Sequence, residues 1–184
     1  MDRRELKLRY YGDPILRRKA EPVESVTPEV RELIRGMFDC MYRERGIGLA
    51  APQVGVAQRV FVVDVEGDEG ERTKFALVNP SVVDAKGTIT GEEGCLSIPG
   101  IHADVRRSAQ VVFEALDENG VRFRLRAEGL LARALQHELD HLDGVLFVDR
   151  LSAIRRKLLE PKLARMRVGE PGSRAPSTSA SPSF

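Results

Sequence analysis

Two of the three histidines in the sequence lie four residues apart, in the segment 136–141 (QHELDH). On an α-helix, residues four apart project from the same face, one turn above the other. Two neutral imidazoles placed in this way can bind one metal ion, and a glutamate after the first histidine can carry protons beside it. The spacing of His137, Glu138 and His141 therefore predicts a catalytic metal site on a helix. The alternative interpretation is that the two histidines share a helix face without binding a metal.

A catalytic metal of this kind needs a third protein ligand, and three places in the sequence could supply it. One class of zinc proteases continues the pattern to a third histidine, but the corresponding position is Phe147, which cannot bind a metal. Another class uses a glutamate about twenty residues downstream, and Glu160 stands near that spacing, although directly before Pro161 on a basic segment. Cys95 lies in a short polar segment with flanking glycine and proline. Its thiolate would be a strong ligand for zinc or ferrous iron.

A glycine-rich segment, Gly46–Gly55 (GIGLAAPQVG), could contribute to the same site. No strand directly precedes it and no Gly-Lys-Ser/Thr follows, so it is not predicted to bind a nucleotide. It combines close backbone approach with a single side-chain amide, Gln53, and such an amide can stabilise a developing oxyanion. The alternative interpretation, a helix C-cap that runs into a strand, is compatible with this role.

The elements that must position these residues begin with a helix in the first quarter of the chain. An irregular lead-in precedes it, and Val23 and Val26 are expected to attach that lead-in to the body. Thr27 is the predicted N-cap and Pro28 the first helical residue. Cys40 is predicted to be a small buried side chain rather than a ligand. The core-facing stripe of this helix consists of Val30, Leu33, Ile34, Met37, Phe38, Met41 and Tyr42.

Strands are predicted between this helix and the histidine segment. A hairpin is indicated at Asn119-Gly120, because Asn-Gly between two strand-like runs favours a tight turn. In its second strand, alternation turns Val121, Phe123 and Leu125 inward and the intervening arginines outward. The predicted strands are Arg59–Val65, Phe75–Val78, Val82–Ala85, Gln110–Leu116 and Val121–Leu125.

The histidine segment falls on a helix that runs from Gly129 to about Leu142, and Gly144 is its predicted C-cap. The metal-binding side of this helix is expected to face the sheet. Asp140 is a weaker candidate than Glu93 for anchoring a metal ligand, because it is expected to point away from the metal side.

A last helix begins after its predicted N-cap, Ser152, and Pro161 should kink it or divide it in two. From Gly169 onward the chain is rich in Pro, Ser and Ala without periodicity, which predicts a disordered tail. The inward residues of the helix are predicted to be Ile154, Leu158, Leu163 and Met166. Its outer face is basic and consists of Arg155, Arg156, Lys157, Lys162, Arg165 and Arg167.

The length, composition and net charge agree with one catalytic domain at 1–168 and a tail at 169–184. The chain has 184 residues, 42% of them hydrophobic, and a formal net charge of +1, so bulk charge indicates neither DNA binding nor membrane binding. No apolar run approaches the roughly 20 residues that span a bilayer, and no signal peptide is evident at the N-terminus. We therefore expect a cytoplasmic protein whose two cysteines are thiols. The predicted fold class is α+β, with small antiparallel or mixed sheets around a central metal-binding helix, an N-terminal helix and a C-terminal helix.

Three separated motifs together resemble the signature motifs of the peptide deformylases, in the family's order and at similar separations. They are Gly46–Gly55 (GIGLAAPQVG), Glu93–Ser97 (EGCLS) and Gln136–His141 (QHELDH). The segment 11–16 (YGDPIL) is also similar to the N-terminal segment of that family. The resemblance extends from about Leu8 to about Leu163, and the combination of three motifs is far more specific than any one of them.

This resemblance implies an enzyme that removes the N-formyl group from N-formylmethionyl peptides and releases formate. It also implies a divalent metal, often ferrous iron in the native state, with zinc, nickel or cobalt able to occupy the site. Matched residue by residue, Cys95, His137 and His141 would hold the metal, and Glu138 would be the catalytic acid and base. Gln53 and the backbone N–H of Leu96 would stabilise the oxyanion.

The substrate contacts are expected on both sides of the metal. Helix phase places Leu130 and Ala134 beside His137, in a pocket for the methionine side chain, and the family match adds Ile47 and Gly48. The other predicted substrate-binding residues are Glu93, Gly94, His102 and Arg133. Alternatively, Glu93 anchors a metal ligand, His102 is a plain surface histidine, and Arg133 lies in solvent.

Two other functions are compatible with the pattern. One is a metallopeptidase with Glu160 as the third ligand, and the other is a structural metal protein or an inactive binding homologue. The expected partners are N-formylmethionyl nascent peptides. The basic C-terminal helix could also dock on ribosomal RNA, although exposed helices are often charged without such a role.

Overall fold

The computed structural model describes residues 5–67, 70 and 72–167, so the predicted disordered tail at 169–184 lies outside the described residues. The single domain predicted for 1–168 stays a prediction. The helices are α1 (Pro28–Arg43), α2 (Gly129–Leu142) and α3 (Ala153–Arg167), and short 3-10 helices lie at Pro14–Arg17, Ala51–Val54 and Phe147–Arg150. The strands are β1 (Gly48–Ala50), β2 (Val60–Glu66), β3 (Arg72–Lys86), β4 (Ile89–Cys95), β5 (Ile98–Arg107), β6 (Gln110–Leu116) and β7 (Arg122–Glu128). The predicted α+β class is confirmed.

A five-stranded antiparallel sheet, in the order β1-β2-β3-β6-β7, separates α1 from α2. Side chains of β2 alternate between its two faces. Phe61 and Val63 pack in the apolar cluster that contains the buried side chains of α2, whereas Val60 and Val62 pack in the cluster of α1. Because helices cover both faces at this strand, β2 is apolar almost throughout rather than alternating.

Helix α1 begins as the sequence predicts. The Thr27 hydroxyl accepts a hydrogen bond from the Val30 N–H at 3.5 Å, and Pro28 is the first helical residue. Cys40 is fully buried in the apolar cluster under the helix, which confirms its prediction as a core side chain. The predicted stripe is correct except at its end, where Tyr42 is 40% exposed.

Two of the strand predictions are wrong in detail. The runs around Asn79 and Pro80 form one strand, β3, with a register shift near Asn79. Asn79 adopts a φ of 52° there, and its side-chain amide makes hydrogen bonds with both the N–H and the carbonyl of Val23. The β6–β7 hairpin is confirmed, but Val121 belongs to its turn and is 60% exposed, while Phe123 and Leu125 pack against the core.

The C-terminal helix buries a different stripe from the one predicted. Ile154 and Leu158 are about three-quarters exposed, whereas Leu163 is buried and Leu159 and Met166 are partly buried. The reason is helix phase, since positions 159, 163 and 166 follow the i, i+4, i+7 pattern of one face. Pro161 lies inside the helix without dividing it. Among the described residues, no helix has both the length and the apolar character needed to cross a membrane.

A second sheet, the hairpin of β4 and β5, was not predicted from the sequence. Its strands pair antiparallel, with Glu93 opposite Ala103 and Cys95 opposite Ile98. Cys95 therefore ends one strand at a tight turn, and it packs with Ile98, Ile101 and Phe147 in an apolar cluster separate from the clusters of α1 and α2. This hairpin brings the segment 93–97 (EGCLS) against helix α2.

Candidate metal centre

The ligand atoms of Cys95, His137 and His141 lie within 4.8 Å of one another. All three residues are buried, with no more than 3% of their surface exposed, and the Cys95 Sγ atom is 3.2 Å from the His141 Nε2 atom. The histidines come from one face of α2, as the spacing predicts, and the cysteine comes from the end of β4. Two elements far apart in sequence thus bring together a compact set of one sulfur and two nitrogen donors.

The protonation preferences of these groups show whether a divalent metal fits. Burial raises the pKa of the Cys95 thiol, and the nearby Glu138 carboxylate raises that pKa further. Burial also holds the pKa of His141 well below its ordinary value, with help from His137 and Arg107. The protein alone therefore favours a neutral thiol and a neutral imidazole, and a divalent cation would stabilise the thiolate. One thiolate and two neutral imidazoles are a donor set that suits zinc or ferrous iron.

Glu138 is a buried carboxyl group whose surroundings leave both oxygens available. Among the described residues, neither of its oxygens has a hydrogen-bond partner. Burial raises the pKa of Glu138 well above its ordinary value, and repulsion from Glu93 raises it further. A buried polar group without partners is costly and rare in proteins, and one beside a metal-binding group is a candidate proton carrier.

Gly48 makes room for this carboxyl group. A Cβ atom added to Gly48 would collide with the Glu138 side chain, lying 2.9 Å from its Cδ atom. Strand β1 therefore approaches α2 with its backbone alone at this point, as the glycine-rich motif suggested.

The Gln53 amide is held in one orientation beside the site. Its Oε1 atom accepts a hydrogen bond from the Ala50 N–H at 2.8 Å, which directs the Nε2 atom toward the hairpin. The Nε2 atom lies 3.2 Å from the Ser97 hydroxyl and 3.6 Å from the Cys95 sulfur. Leu96, next to the cysteine, is partly buried against the apolar cluster of α1. The amide donor of Gln53 thus faces the sulfur of the ligand group.

Glu93 connects His137 to the hairpin. Its Oε2 atom is 3.0 Å from the His137 Nδ1 atom, and Arg107 donates to both of its oxygens at 2.9 Å. Burial alone would raise the pKa of Glu93, but hydrogen bonds from Arg107 and His137 lower it to about 2. The carboxylate is therefore charged, and its contact with Nδ1 favours the tautomer in which Nε2 carries a lone pair for a metal.

The predicted substrate residues divide into two groups. Ile47 and Leu130 are partly buried and His102 is exposed, so these three can be reached by a ligand. Gly48, Gly94 and Ala134 are buried close to the metal-binding groups.

Glu93 and Arg133, by contrast, bond to other parts of the protein. Arg133 is only 6% exposed and donates hydrogen bonds to the Gly91 carbonyl and to Glu93, which contradicts its placement in solvent. Glu93 is 1% exposed and both of its oxygens bond to protein groups, which favours the alternative in which it anchors a metal ligand, and its substrate contact stays a prediction.

Two further charged residues belong to the site, of which Arg107 was not identified from the sequence and Asp140 was only a weaker candidate. Arg107 lies between Glu93 and Asp140, and its Nη1 atom donates to Asp140 at 2.6 Å. Asp140 faces away from the ligands, as expected, yet it is buried and bonded rather than solvated. No local pattern marks either residue, since each depends on which face of its strand or helix meets the other.

The alternative third ligands are not part of the site. Glu160 is exposed on α3, and the cluster of metal-binding side chains found among the described residues does not include it. Phe147 instead packs its ring against His137, with the ring centroids 6.3 Å apart.

Comparisons with known proteins agree with this geometry. The family model described as polypeptide deformylase matches residues 5–157. A peptide deformylase of Alkalilimnicola ehrlichii is 49% identical over 161 residues, which cover 88% of this chain and 90% of that protein. The crystal structure of a peptide deformylase from Legionella pneumophila has a TM-score of 0.79 at 45% identity and covers 90% of this chain and 98% of that one. A peptide deformylase from Synechococcus elongatus in complex with actinonin has a TM-score of 0.80 at 44% identity, covering 88% and 90% of the two chains.

Proposed function

Because this chain belongs to the peptide deformylase family, we propose that Cys95, His137 and His141 bind the metal on which its activity depends. The enzyme is a hydrolase that removes the formyl group from the N-terminal formylmethionine of newly made polypeptides and releases formate. The observation that carries the site assignment is the convergence of one buried thiol with both histidines of the motif 136–141.

We further propose ferrous iron as the native metal, with zinc, nickel or cobalt able to replace it. A site with one thiolate and two imidazoles accepts any of these ions, so the choice depends on availability and oxidation as well as affinity. When bound, such a metal supplies a Lewis acid that lowers the pKa of a water molecule from its very high ordinary value to about 7.

Glu138 is the proposed proton carrier. Its carboxylate accepts a proton from the attacking water and delivers it to the nitrogen of methionine as the C–N bond breaks. The unbonded oxygens of Glu138 support this role, because they need not break a protein hydrogen bond to accept the proton. The products are formate and a peptide with a free amino terminus.

Gln53 and Leu96 are the proposed oxyanion donors. Negative charge develops on the formyl oxygen during attack, and the Gln53 Nε2 group and the Leu96 N–H would donate hydrogen bonds to it. The fixed orientation of the Gln53 amide supports this role, since a donor that is already positioned need not reorganise during the reaction. Loss of one such donor typically costs about 100- to 1000-fold in rate.

The proposed methionine pocket consists of Ile47, Gly48, Leu130 and Ala134, beside His137. Ile47 and Leu130 would supply apolar contacts and Ala134 is small, while Gly48 admits the Glu138 carboxyl group beside the pocket. Gly94 and His102 would lie along the peptide backbone beyond the methionine. His102 is the exposed member of this set and is therefore proposed to affect KM more than kcat.

Formate release from formyl-Met-Ala-Ser, with mass analysis of the peptide, tests the activity. We expect the peptide to lose its formyl group and to keep its internal bonds. The alternative metallopeptidase would instead cleave internal bonds and lose metal in the Glu160→Ala variant. That alternative is not favoured, because Glu160 is exposed.

A finer proposal concerns docking of the enzyme on the ribosome. Arg155, Lys157, Lys162 and Arg165 lie exposed on α3 and could contact ribosomal RNA phosphates, which would keep the enzyme in the cytoplasm near its substrate. Co-sedimentation with ribosomes should then weaken with added salt and in the Lys157→Glu/Lys162→Glu variant, whereas formate release from the short peptide should not change. Co-sedimentation that is absent or insensitive to salt would contradict the proposal.

A further inference from the structure

We propose that Asp140 and Arg150 are positioning residues of the metal centre, which act through Arg107 and Glu93 on His137. This inference rests on the metal site proposed above. It concerns a chain of side chains behind the site rather than the ligands themselves.

The bonded chain leaves α2 at one residue and returns to it at another. From His137 it passes to Glu93 on β4 at 3.0 Å and from Glu93 to Arg107 on β5 at 2.9 Å. From Arg107 it reaches Asp140 at 2.6 Å, three residues after the histidine on the same helix. These hydrogen bonds and the backbone of α2 between His137 and Asp140 thus form a closed ring.

Two attachment points constrain a helix more than one does. On the N-terminal side of His137, Arg133 already joins α2 to Gly91 and Glu93 of the hairpin, so a further contact on the C-terminal side secures the other end of the metal-binding segment. The contact through Asp140 lies about one turn further along the helix, displaced from His137 by about 60° around the axis. Together they fix the rotation of the helix that carries both histidines against the hairpin that carries Cys95.

Arg150 is bonded to the ring from outside, through Asp140. Its Nε and Nη2 atoms donate to the two oxygens of Asp140 at 3.1 and 2.5 Å. Glu93 pairs with Arg133 as well as with Arg107, and Arg150 gives Asp140 a second arginine in the same way. The bidentate geometry also fixes the plane of the Asp140 carboxylate, and so the direction in which it accepts from Arg107.

The bonded side chains become less buried from Glu93 and Arg107 toward Arg150. The side chains of Glu93 and Arg107 are at most 4% exposed, whereas the Arg150 side chain is 48% exposed. A cavity of about 560 Å³ lies behind α2, and Arg107, Asp140 and Arg150 are among its lining residues. Arg150 can therefore be changed with little loss of buried surface, which makes it the practical place to test the ring.

The test compares Asp140→Asn, Arg150→Met and the control Glu114→Gln, which removes the charge of an exposed ion pair with Arg124. We expect a metal affinity weaker by about 10-fold in Asp140→Asn, the lower end of the loss typical of direct partners of metal ligands, and a smaller loss in Arg150→Met. The visible spectrum of the cobalt-substituted protein should change in both variants, because the histidine orientation changes, and Arg150→Lys should recover part of each loss. Glu114→Gln should match the unaltered protein.

Unchanged cobalt spectra and metal affinities in the first two variants, even with a lower melting temperature, would overturn the proposal and leave these residues a purely structural role. If Asp140→Asn does not fold, Arg150→Met decides by the same two measurements. Metal binding by the unaltered protein is measured in parallel, so failure of the metal site itself is distinguished from failure of the positioning role.

Discussion

Both halves of the metal centre pack in apolar clusters, but they differ in the contacts that align them. Helix α2 supplies two histidines and Glu138, and it is anchored by apolar side chains that pack against the five-stranded sheet, among them Ala132, Leu135 and Leu142. The β4–β5 hairpin supplies Cys95, and its contacts with α2 include buried ion pairs of Arg107 with Asp140 and of Glu93 with Arg133. Apolar packing is non-directional and tolerant, whereas a buried ion pair requires each partner to keep its place.

Apolar packing thus determines where α2 lies, whereas the buried ion pairs align the metal-binding groups. Shortening an apolar side chain of α2 should lower the stability of the whole protein, because the core is shared. Changing a charged or ligand group of the hairpin side should instead alter the metal or the chemistry.

Cys95→Ala removes the only ligand that the hairpin contributes to the three-residue cluster. We expect its metal content and its formate release to fall close to zero, because two imidazoles alone bind these ions weakly. Elemental analysis and the formate assay measure both quantities. Cys40→Ala is the matched control, since that thiol is equally buried but lies in the α1 cluster, and it should keep its metal. Retention of metal and activity by Cys95→Ala would remove the hairpin from the site.

Glu138→Gln tests the helix half without removing a ligand. The amide keeps the shape of the side chain but cannot carry the proton, so we expect turnover to fall about 100- to 10,000-fold. The metal content should remain that of the unaltered protein. Appreciable turnover in the metal-loaded variant would exclude Glu138 as the proton carrier.

Gly48→Ala tests how closely β1 and α2 must approach. The added methyl group would displace the Glu138 carboxyl group, and a shift of about 1 Å can cost about 100-fold in rate. We expect kcat to fall while metal content is maintained. In Gly36→Ala, by contrast, the new methyl group meets only the end of the Leu6 side chain, so full activity is expected. Equal kcat values for the two variants would show that this close approach is not required.

Leu135→Ala tests whether the apolar packing of α2 affects stability rather than metal binding. Leu135 is fully buried in the cluster between α2 and the sheet. Its truncation should lower the free energy of unfolding by about 2–5 kcal/mol, measured by denaturant titration, and leave the metal affinity of the folded protein nearly unchanged. A large loss of affinity with little loss of stability would contradict the division between packing and alignment.

The same division explains which features could be predicted from the sequence. The metal-binding face of α2 and the capped start of α1 depend on local spacing, so both were predictable. Cys95 could be proposed as a candidate from its chemistry, but its selection over Glu160 rested on the resemblance to a family.

Arg107 could not be identified, because its role depends on strand register. It follows the exposed Arg106 in β5, and a shift of one residue would exchange the two. The hairpin itself gave little signal, since β4 contains two glycines and two glutamates in seven residues. Its place depends on tertiary ion pairs, which local propensity does not report.

The most direct test is metal analysis of protein purified without oxygen, paired with formate release from formyl-Met-Ala-Ser. The site predicts bound ferrous iron and rapid formate release. Both should be lost on chelation and restored when ferrous iron is returned. A full metal complement without formate release, or equal release from metal-free protein, would contradict the assignment of Cys95, His137 and His141 as the centre of a deformylase.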